Sequence, residues 1–256
     1  MNVIFVKSEK QIDNIRKSCR LAAQTLQFIE PYLVPGAKTK DLDFLMETFI
    51  RDHKAIPAPL GYKTPNNISP YPKSTCISLN EVVCHGIPDD RSLKDGDIVG
   101  IDVTTILEGY YGDTAKTFGI GKISEDAEHL LQVTKKCLEI GIKQVKPGGN
   151  TGEIGYAISK YALLQGCSIV EQYCGHGVGF YFHELPQIQH ICKKDDGVIM
   201  YAGMIFTIEP MLNLGSPDVI IEEDSWTVRT IDNMLSAQFE HTIAVTSEGY
   251  EILTLA

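Results

Sequence analysis

Two aspartates lie in neighbouring segments from which their carboxylates could share a cation. In residues 98–105 the apolar side chains alternate with others, which is typical of a strand and places Asp102 on the face opposite Ile101. A hairpin-like turn follows at Glu108-Gly109, and the returning segment carries Asp113. The pattern predicts that the two carboxylates lie side by side. Because adjacent like charges repel each other, such a pair favours a bound metal ion.

Two glutamates stand at equivalent places in the second half of the chain. Residues 96–102 and 203–209 share the pattern G-x-I-x-x-I-acid, so Glu209 matches Asp102, and Glu240 has surroundings similar to those of Asp113. Any one of these acids, taken alone, reads best as a solvated residue at a strand edge, the usual place for a carboxylate. Four carboxylates at symmetric positions instead favour a metal site.

A histidine flanked by glycines, His176 in the segment GHGVG (175–179), is the candidate nitrogen ligand. A phosphate cradle is the rival interpretation, but the glycine spacing fits neither a P-loop nor a dinucleotide fingerprint. Carboxylates with one imidazole suit Mn, Fe, Co or Zn. His85 and His183 lie on segments interrupted by glycine or proline, although a lone histidine is more often structural than catalytic. H-E-x-x-H and G-x-S-x-G motifs are both absent, which argues against zincins and serine hydrolases.

Repeated helical and strand patterns must position these side chains. The motif P-G-x-x-T occurs at residues 35–39 and 147–151, each time between segments with apolar residues at helical spacing. The first helix is predicted to begin with a capping box of Ser8 and Gln11, and Thr39 is predicted to cap the second. The repetition predicts one domain over residues 1–256 with two similar α+β halves, roughly 8–118 and 124–245.

The composition argues against several classes of protein. The chain of 256 residues has a formal net charge of −10, which argues against nucleic-acid binding. Its seven cysteines include no C-x-x-C pair, a pattern typical of free thiols in a reducing compartment and one that excludes a cysteine zinc site. The apolar run before Lys7 is too short for a signal peptide, and the run at residues 197–208 is too short to span a bilayer. We therefore expect a cytoplasmic protein without a membrane segment.

Taken together, these motifs resemble those of the bacterial-type, type I methionine aminopeptidases. The matching segments, in order, are NEVVCHGIP (80–88), GHGVG (175–179), FHE (182–184), TIEPM (207–211) and SAQFEHT (236–242). The resemblance covers nearly the whole chain. It implies an α/β (α+β) pita-bread fold, in which two helix-and-antiparallel-strand halves related by a pseudo-twofold surround a central curved sheet.

The resemblance also implies roles for the residues of the site. Asp113 and Glu240 would bridge two divalent metal ions, Asp102 would bind one of them, and His176 with Glu209 the other. The implied catalytic residues are His85, His183 and Glu209, and both histidines would also contact the substrate. The implied methionine pocket consists of Tyr62, Tyr71, Cys76, Phe182 and Trp226, each of which could equally be an ordinary core residue.

The implied activity is removal of the N-terminal initiator methionine from peptides and nascent polypeptides whose second residue is small. A hydroxide bridging the two metals would attack the first peptide bond while His183 stabilises the oxyanion, Glu209 transfers the proton and His85 orients the amide. The resemblance further implies a monomer, with possible proximity to the ribosome.

Two features depart from the family pattern near the pocket. Pro59 and the longer loop at residues 63–70 change the pocket rim, while Phe180 and Leu185 replace charged residues and make the approach more apolar. Two alternatives stay open. A proline-directed aminopeptidase or dipeptidase of the same fold usually has an extra N-terminal domain, and a non-catalytic peptide-binding module would be expected to have lost ligands.

Overall fold

The computed structural model describes residues 3–64 and 69–256, which form helices and antiparallel strands. The helices are α1 (Glu9–Ile29), a short 3₁₀ helix (Glu30–Tyr32), α2 (Thr39–Asp52), α3 (Glu125–Ile142) and α4 (Gly152–Leu164). The strands before α3 are β1 (Ile56–Pro57), β2 (Cys76–Leu79), β3 (Val82–Cys84), β4 (Ile98–Leu107) and β5 (Tyr110–Gly119). Those after α4 are β6 (Ser168–Ile169), β7 (Gly175–Gly177), β8 (Glu184–Ile188), β9 (Ile205–Ile208), β10 (Met211–Asn213), β11 (Val219–Ile221), β12 (Val228–Thr230), β13 (Ser236–Gln238), β14 (His241–Val245) and β15 (Tyr250–Ile252).

The predicted helix starts are confirmed with one correction. The backbone N–H of Ser8 donates to Gln11 Oε1 at 2.9 Å, as a capping box requires. Thr39 does not cap α2, because Lys38 is the N-cap and Thr39 is the first helical residue. The Thr39 hydroxyl instead accepts a hydrogen bond from the backbone N–H of Asp89 at 2.9 Å, which connects the start of α2 to the loop between β3 and β4.

The two larger sheets meet at the segment that carries the predicted acidic residues. Strand β4 pairs with β1, β2 and β5, and a second sheet has the order β15-β14-β9-β7-β8. Between these sheets the backbone N–H of Glu240 donates to Ala115 O at 2.8 Å, and Thr114 Oγ1 donates to Glu240 O at 2.8 Å. Strand β5 is thereby fixed against the chain that enters β14.

Each helix pair packs on one of the two larger sheets and buries an apolar face there. Leu26 of α1 and Met46 of α2 lie in one cluster with Val99 and Ile101 of β4. The matching cluster of the second half joins α3 and α4 to β9 and β14 through Leu130, Ile158, Phe206 and Ile243. The alternation in residues 98–105 therefore separates a core face from the face of Asp102, as predicted.

The duplication of the two halves stays a prediction. Among the described residues no helix is both long and apolar enough to cross a bilayer.

Candidate metal centre and substrate pocket

The β4–β5 hairpin fixes the two aspartates relative to each other. Its turn residues Glu108 and Gly109 both have positive φ, 53° and 84°, as a tight hairpin turn requires. In the resulting register Asp113 is opposite Thr104 and Asp102 is opposite Ala115, so the two acids are diagonal neighbours on one face. The register brings the two carboxylates to one cavity wall, as the sequence predicted.

The two glutamates flank a strand pair in the second sheet. Ile208, the last residue of β9, pairs with His241, the first residue of β14; Glu209 directly follows β9 and Glu240 directly precedes β14. Both are buried, with 8% and 3% of their surface exposed. Because Glu240 is also hydrogen-bonded to β5, the two sheets bring all four acids to one place.

His176 points an unprotonated nitrogen at this acidic cluster. Its Nδ1 lies 3.0 Å from the carbonyl oxygen of Gly177, which can only accept, so Nδ1 carries the proton. Its Nε2 then has a free lone pair, 3.7 Å from Asp113 Oδ2 and 3.6 Å from Glu209 Oε1. Three acceptor atoms thus converge on one point, an arrangement that a bound cation would stabilise, and this tautomer is the one that a metal ligand needs.

Burial makes the acidic cluster unfavourable in the absence of a cation. Burial, together with repulsion by Asp113, raises the pKa values of Asp102, Glu209 and Glu240 well above their ordinary values. Burial also raises the pKa of Asp113 to about 7. Ligand atoms of Asp113, His176 and Glu240 all lie within 4.8 Å of one another. Oxygen and imidazole donors at this spacing fit a divalent first-row ion.

Polar side chains that the sequence did not single out support the acids. Thr104 Oγ1 donates to Asp113 Oδ1 at 2.7 Å, and Thr207 Oγ1 donates to Glu209 Oε1 at 2.8 Å. Gln238 Nε2 donates to the other oxygen of Glu209 at 3.1 Å. Such neighbours orient metal ligands. The sequence positions of these threonines and of Gln238 do not indicate this role.

One cavity contains every residue predicted for the site. Its volume is about 660 Å³, within the range of small-molecule sites, and its wall includes the five candidate ligands, His85 and His183. All five residues of the predicted methionine pocket also line it. Tyr71, Cys76 and Trp226 are buried and pack together with Tyr62, which gives this end of the cavity an aromatic wall.

The two further histidines lie beside the candidate ligands and are neutral at pH 7. The rings of His176 and His183 are 4.2 Å apart, and Tyr62 Oη is 2.9 Å from His183 Nδ1. Desolvation and two neighbouring histidines lower the pKa of His183 well below its ordinary value. Desolvation lowers the pKa of His85 to about 4, and its backbone is left-handed with φ 55°. Neutral imidazoles can donate one hydrogen bond and accept another.

The N-terminal arm, which we define as residues 3–7, was not predicted to be part of the site. Val3 and Phe5 line the cavity, although they are more than 170 residues from His176 in sequence. The only local signal is the short apolar run before Lys7, which does not indicate a place in a cavity. Pro59 and Thr64 also line the cavity, whereas residues 65–68 of the predicted longer loop lie outside the described residues.

Comparisons with known proteins show which proteins this chain resembles. The chain is 52% identical to the methionine aminopeptidase of Salmonella typhimurium over 254 residues, which cover 98% of this chain and 94% of the relative. It is 49% identical to the methionine aminopeptidase of Escherichia coli K12 over the same length. The crystal structure of methionine aminopeptidase from Rickettsia prowazekii superposes with a TM-score of 0.95 at 47% identity, covering 99% of this chain and all of that one.

More distant structures share the fold. The prolidase from Pyrococcus furiosus matches with a TM-score of 0.76 at 21% identity, and 66% of that chain is covered. The predicted α/β pita-bread fold is therefore confirmed. The sequence model of metallopeptidase family M24 matches residues 13–247. The chain belongs to metallopeptidase family M24.

Proposed function

We propose that this metallopeptidase removes the N-terminal methionine from peptides and nascent polypeptides whose second residue is small. One observation carries the proposal: a cluster of four acids and a histidine shares its cavity with an aromatic pocket and two neutral histidines. The relatives that cover nearly the whole chain are named methionine aminopeptidases, which supports the choice of substrate.

The metal-binding roles follow from the donor set. Asp102, Asp113, His176, Glu209 and Glu240 would hold two divalent ions, drawn from Mn, Fe, Co and Zn. When bound, such ions supply Lewis-acid chemistry, which lowers the pKa of water and polarises a carbonyl. The raised pKa values of the acids support this assignment, because cations would remove the repulsion among them.

The remaining chemistry belongs to side chains of the chain itself. Glu209 would accept a proton and deliver it to the leaving amine, with its carboxylate oriented by Thr207 and Gln238. His183 would donate a hydrogen bond to the developing oxyanion. His85 would orient the scissile amide from the side of Trp226, against which its ring packs edge-on.

The pocket beside Trp226 would hold the methionine side chain. Its wall is apolar and aromatic, and aromatic rings make favourable contacts with a thioether sulfur. Tyr71 Oη donates to the backbone oxygen of Gly86 at 2.9 Å, which satisfies the hydroxyl and leaves the ring face for the substrate.

A metal-reconstitution experiment tests the function. The protein is stripped with a chelator, Mn, Fe, Co or Zn is added back separately, and free methionine released from Met-Ala-Ser is measured. We expect release only with metal and little release of leucine from Leu-Ala-Ser. No release with any metal would contradict the proposal, and preferential cleavage of X-Pro peptides would indicate a proline-directed enzyme instead.

We further propose a setting for the activity. All seven cysteines are free and five are buried, which supports a reducing compartment such as the cytoplasm. The family resemblance implies a monomer, and a nascent-chain substrate favours action near the ribosome without a nucleic-acid contact. Light scattering of the purified protein and co-sedimentation with translating ribosomes test these two points, and a stable dimer or absence from ribosome pellets would contradict them.

A further inference from the structure

The cavity extends well past the space that a methionine side chain needs. Four side-chain heavy atoms occupy roughly the volume of four water molecules, about 120 Å³. The cavity of about 660 Å³ is several times larger. The exposure of its wall shows which end opens outward. Tyr71 and Trp226 are 2% and 6% exposed, whereas Val3 and Tyr181 are 50% and 53% exposed.

The outer end of the cavity has an aromatic rim contributed by two distant segments. Phe5 of the N-terminal arm packs edge-on against Phe180 with ring centroids 5.3 Å apart, and lies 6.1 Å from the ring of Tyr181. Phe5 and Tyr181 both line the cavity, together with Val3 and Leu185. We call Val3, Phe5, Tyr181 and Leu185 the outer rim.

A buried ion pair fixes the arm against the loop that carries His183. Lys7 Nζ lies 2.6 Å from Glu184 Oε2, and both side chains are 1% exposed. The other oxygen of Glu184 accepts hydrogen bonds from the backbone N–H groups of Phe180 and Tyr181 at 2.6 and 2.9 Å. Ile4 also bridges to Leu185. These contacts hold the two segments of the outer rim together. Lys7 and Glu184 lie beside the rim, and their opposite charges neutralise each other.

We propose that the outer rim binds apolar side chains at the third and fourth residues of the substrate and so sets a sequence preference beyond the scissile bond. This inference rests on the proposed aminopeptidase activity. A polypeptide whose first residue occupies the buried aromatic end must leave through the open end. Each further residue of an extended chain advances about 3.3–3.6 Å, which carries the chain across the outer rim within a few residues.

The preference is measured with two peptides, Met-Ala-Phe-Phe-Ser and Met-Ala-Ser-Ser-Ser, on the metal-loaded enzyme. Contacts of one or two aromatic rings predict a kcat/KM roughly two- to tenfold higher for the phenylalanine peptide. Rim contacts act on the substrate before and during the reaction alike, so the difference should lie in KM and leave kcat similar.

Variants assign the preference to the rim. Phe5→Ala and Tyr181→Ala should each bring the ratio of the two kcat/KM values toward one. Val6→Ala is the matched control, since Val6 is on the same arm and 60% exposed but does not line the cavity, and it should keep the wild-type ratio. If Phe5→Ala does not fold, Tyr181→Ala is the deciding variant. More than half of the Tyr181 surface is exposed, so truncating this side chain should leave the fold intact.

The outcomes separate this inference from the function on which it rests. Equal kcat/KM values for the two peptides in the wild type, or a ratio unchanged by both rim variants, would overturn the inference alone. Absence of methionine release from both peptides would overturn the aminopeptidase proposal and the inference with it.

Discussion

His183 faces the candidate metal cluster without a role as a ligand, and this makes it a sharp probe of the proposed chemistry. Losing one oxyanion donor typically lowers turnover by about 10²–10³. We expect His183→Ala to lower kcat by about that factor while metal content, measured by mass spectrometry, stays near the wild-type value. His129→Ala is the control, because this exposed ring contacts only Gln165 O among its described partners and should change neither quantity. An unchanged kcat in His183→Ala would remove the histidine from the mechanism.

His85 should make the folded protein less stable as the pH falls. Unfolded histidine binds a proton below pH 6.5, whereas desolvation lowers the folded pKa of His85 to about 4. Between these values the unfolded state binds more protons, so the free energy of unfolding decreases as pH falls from 6.5 to 4. Because the ring is only partly enclosed, we expect a loss of about 1–2 kcal/mol from this group.

The variant His85→Asn isolates that contribution. Asparagine tolerates the left-handed backbone at this position, so the substitution removes the titrating group without a conformational penalty. Urea unfolding at pH 6.5, 5.5 and 4.5 should show a shallower pH dependence for the variant than for the wild type. Parallel pH profiles would show that His85 titrates normally in the folded protein.

Residue types and spacing indicated the candidate ligands but not the side chains that support them. The four acids and His176 were singled out by their repeated strand pattern and flanking glycines, whereas His85 and His183 were added by the family resemblance; all seven line one cavity. Thr104 and Thr207 orient the acids from ordinary strand positions, where threonine is common for its propensity alone. A side chain that acts only by orienting another side chain has no characteristic residue pattern around it in the sequence.

The N-terminal arm is held in part by the buried ion pair of Lys7 and Glu184. Lys7→Met would leave Glu184 as a buried carboxylate without its partner, and breaking such a pair typically costs about 3–5 kcal/mol. We expect a loss of stability of that order in urea unfolding at pH 7. Lys17→Met is the matched control, because its pair with Glu108 is exposed and should contribute at most about 1 kcal/mol.

A second substitution distinguishes an unpaired charge from lost packing. In Lys7→Met/Glu184→Gln the amide oxygen can still accept from the Phe180 and Tyr181 backbone, so much of the lost stability should return. If the double variant is as unstable as Lys7→Met, the aliphatic stem of Lys7 and not its charge holds the arm.

The predictability of the elements follows from the range of their interactions. The helices were predicted because capping and apolar spacing are local, whereas the error at Thr39 has a long-range cause, since the threonine binds Asp89, 50 residues away, instead of capping the helix. The hairpin of β4 and β5 was predicted because its turn residues are adjacent in sequence. Lys7 and Glu184 are 177 residues apart, and neither residue carries a local pattern that indicates the other.

At the scale of the whole molecule, the metal should stabilise the fold. A ligand at about 100 times its Kd adds about 2.7 kcal/mol, which for a chain of this size raises Tm by roughly 5–10 °C. We expect one cooperative transition in calorimetry and a shift of that size when Mn is added to the stripped protein. In Asp113→Ala one candidate ligand is missing, so the shift should shrink. A full shift in that variant would contradict the bridging role of Asp113.

The tie between Lys7 and Glu184 also orders events during synthesis. Because synthesis proceeds toward the C-terminal side, Glu184 is made 177 residues after Lys7. At about 5–20 residues per second the arm waits roughly 10 to 35 s for that partner, while α1 and the β4–β5 hairpin can already form. The outer rim, whose two segments this pair joins, is therefore completed only after the chain has been made through Glu184.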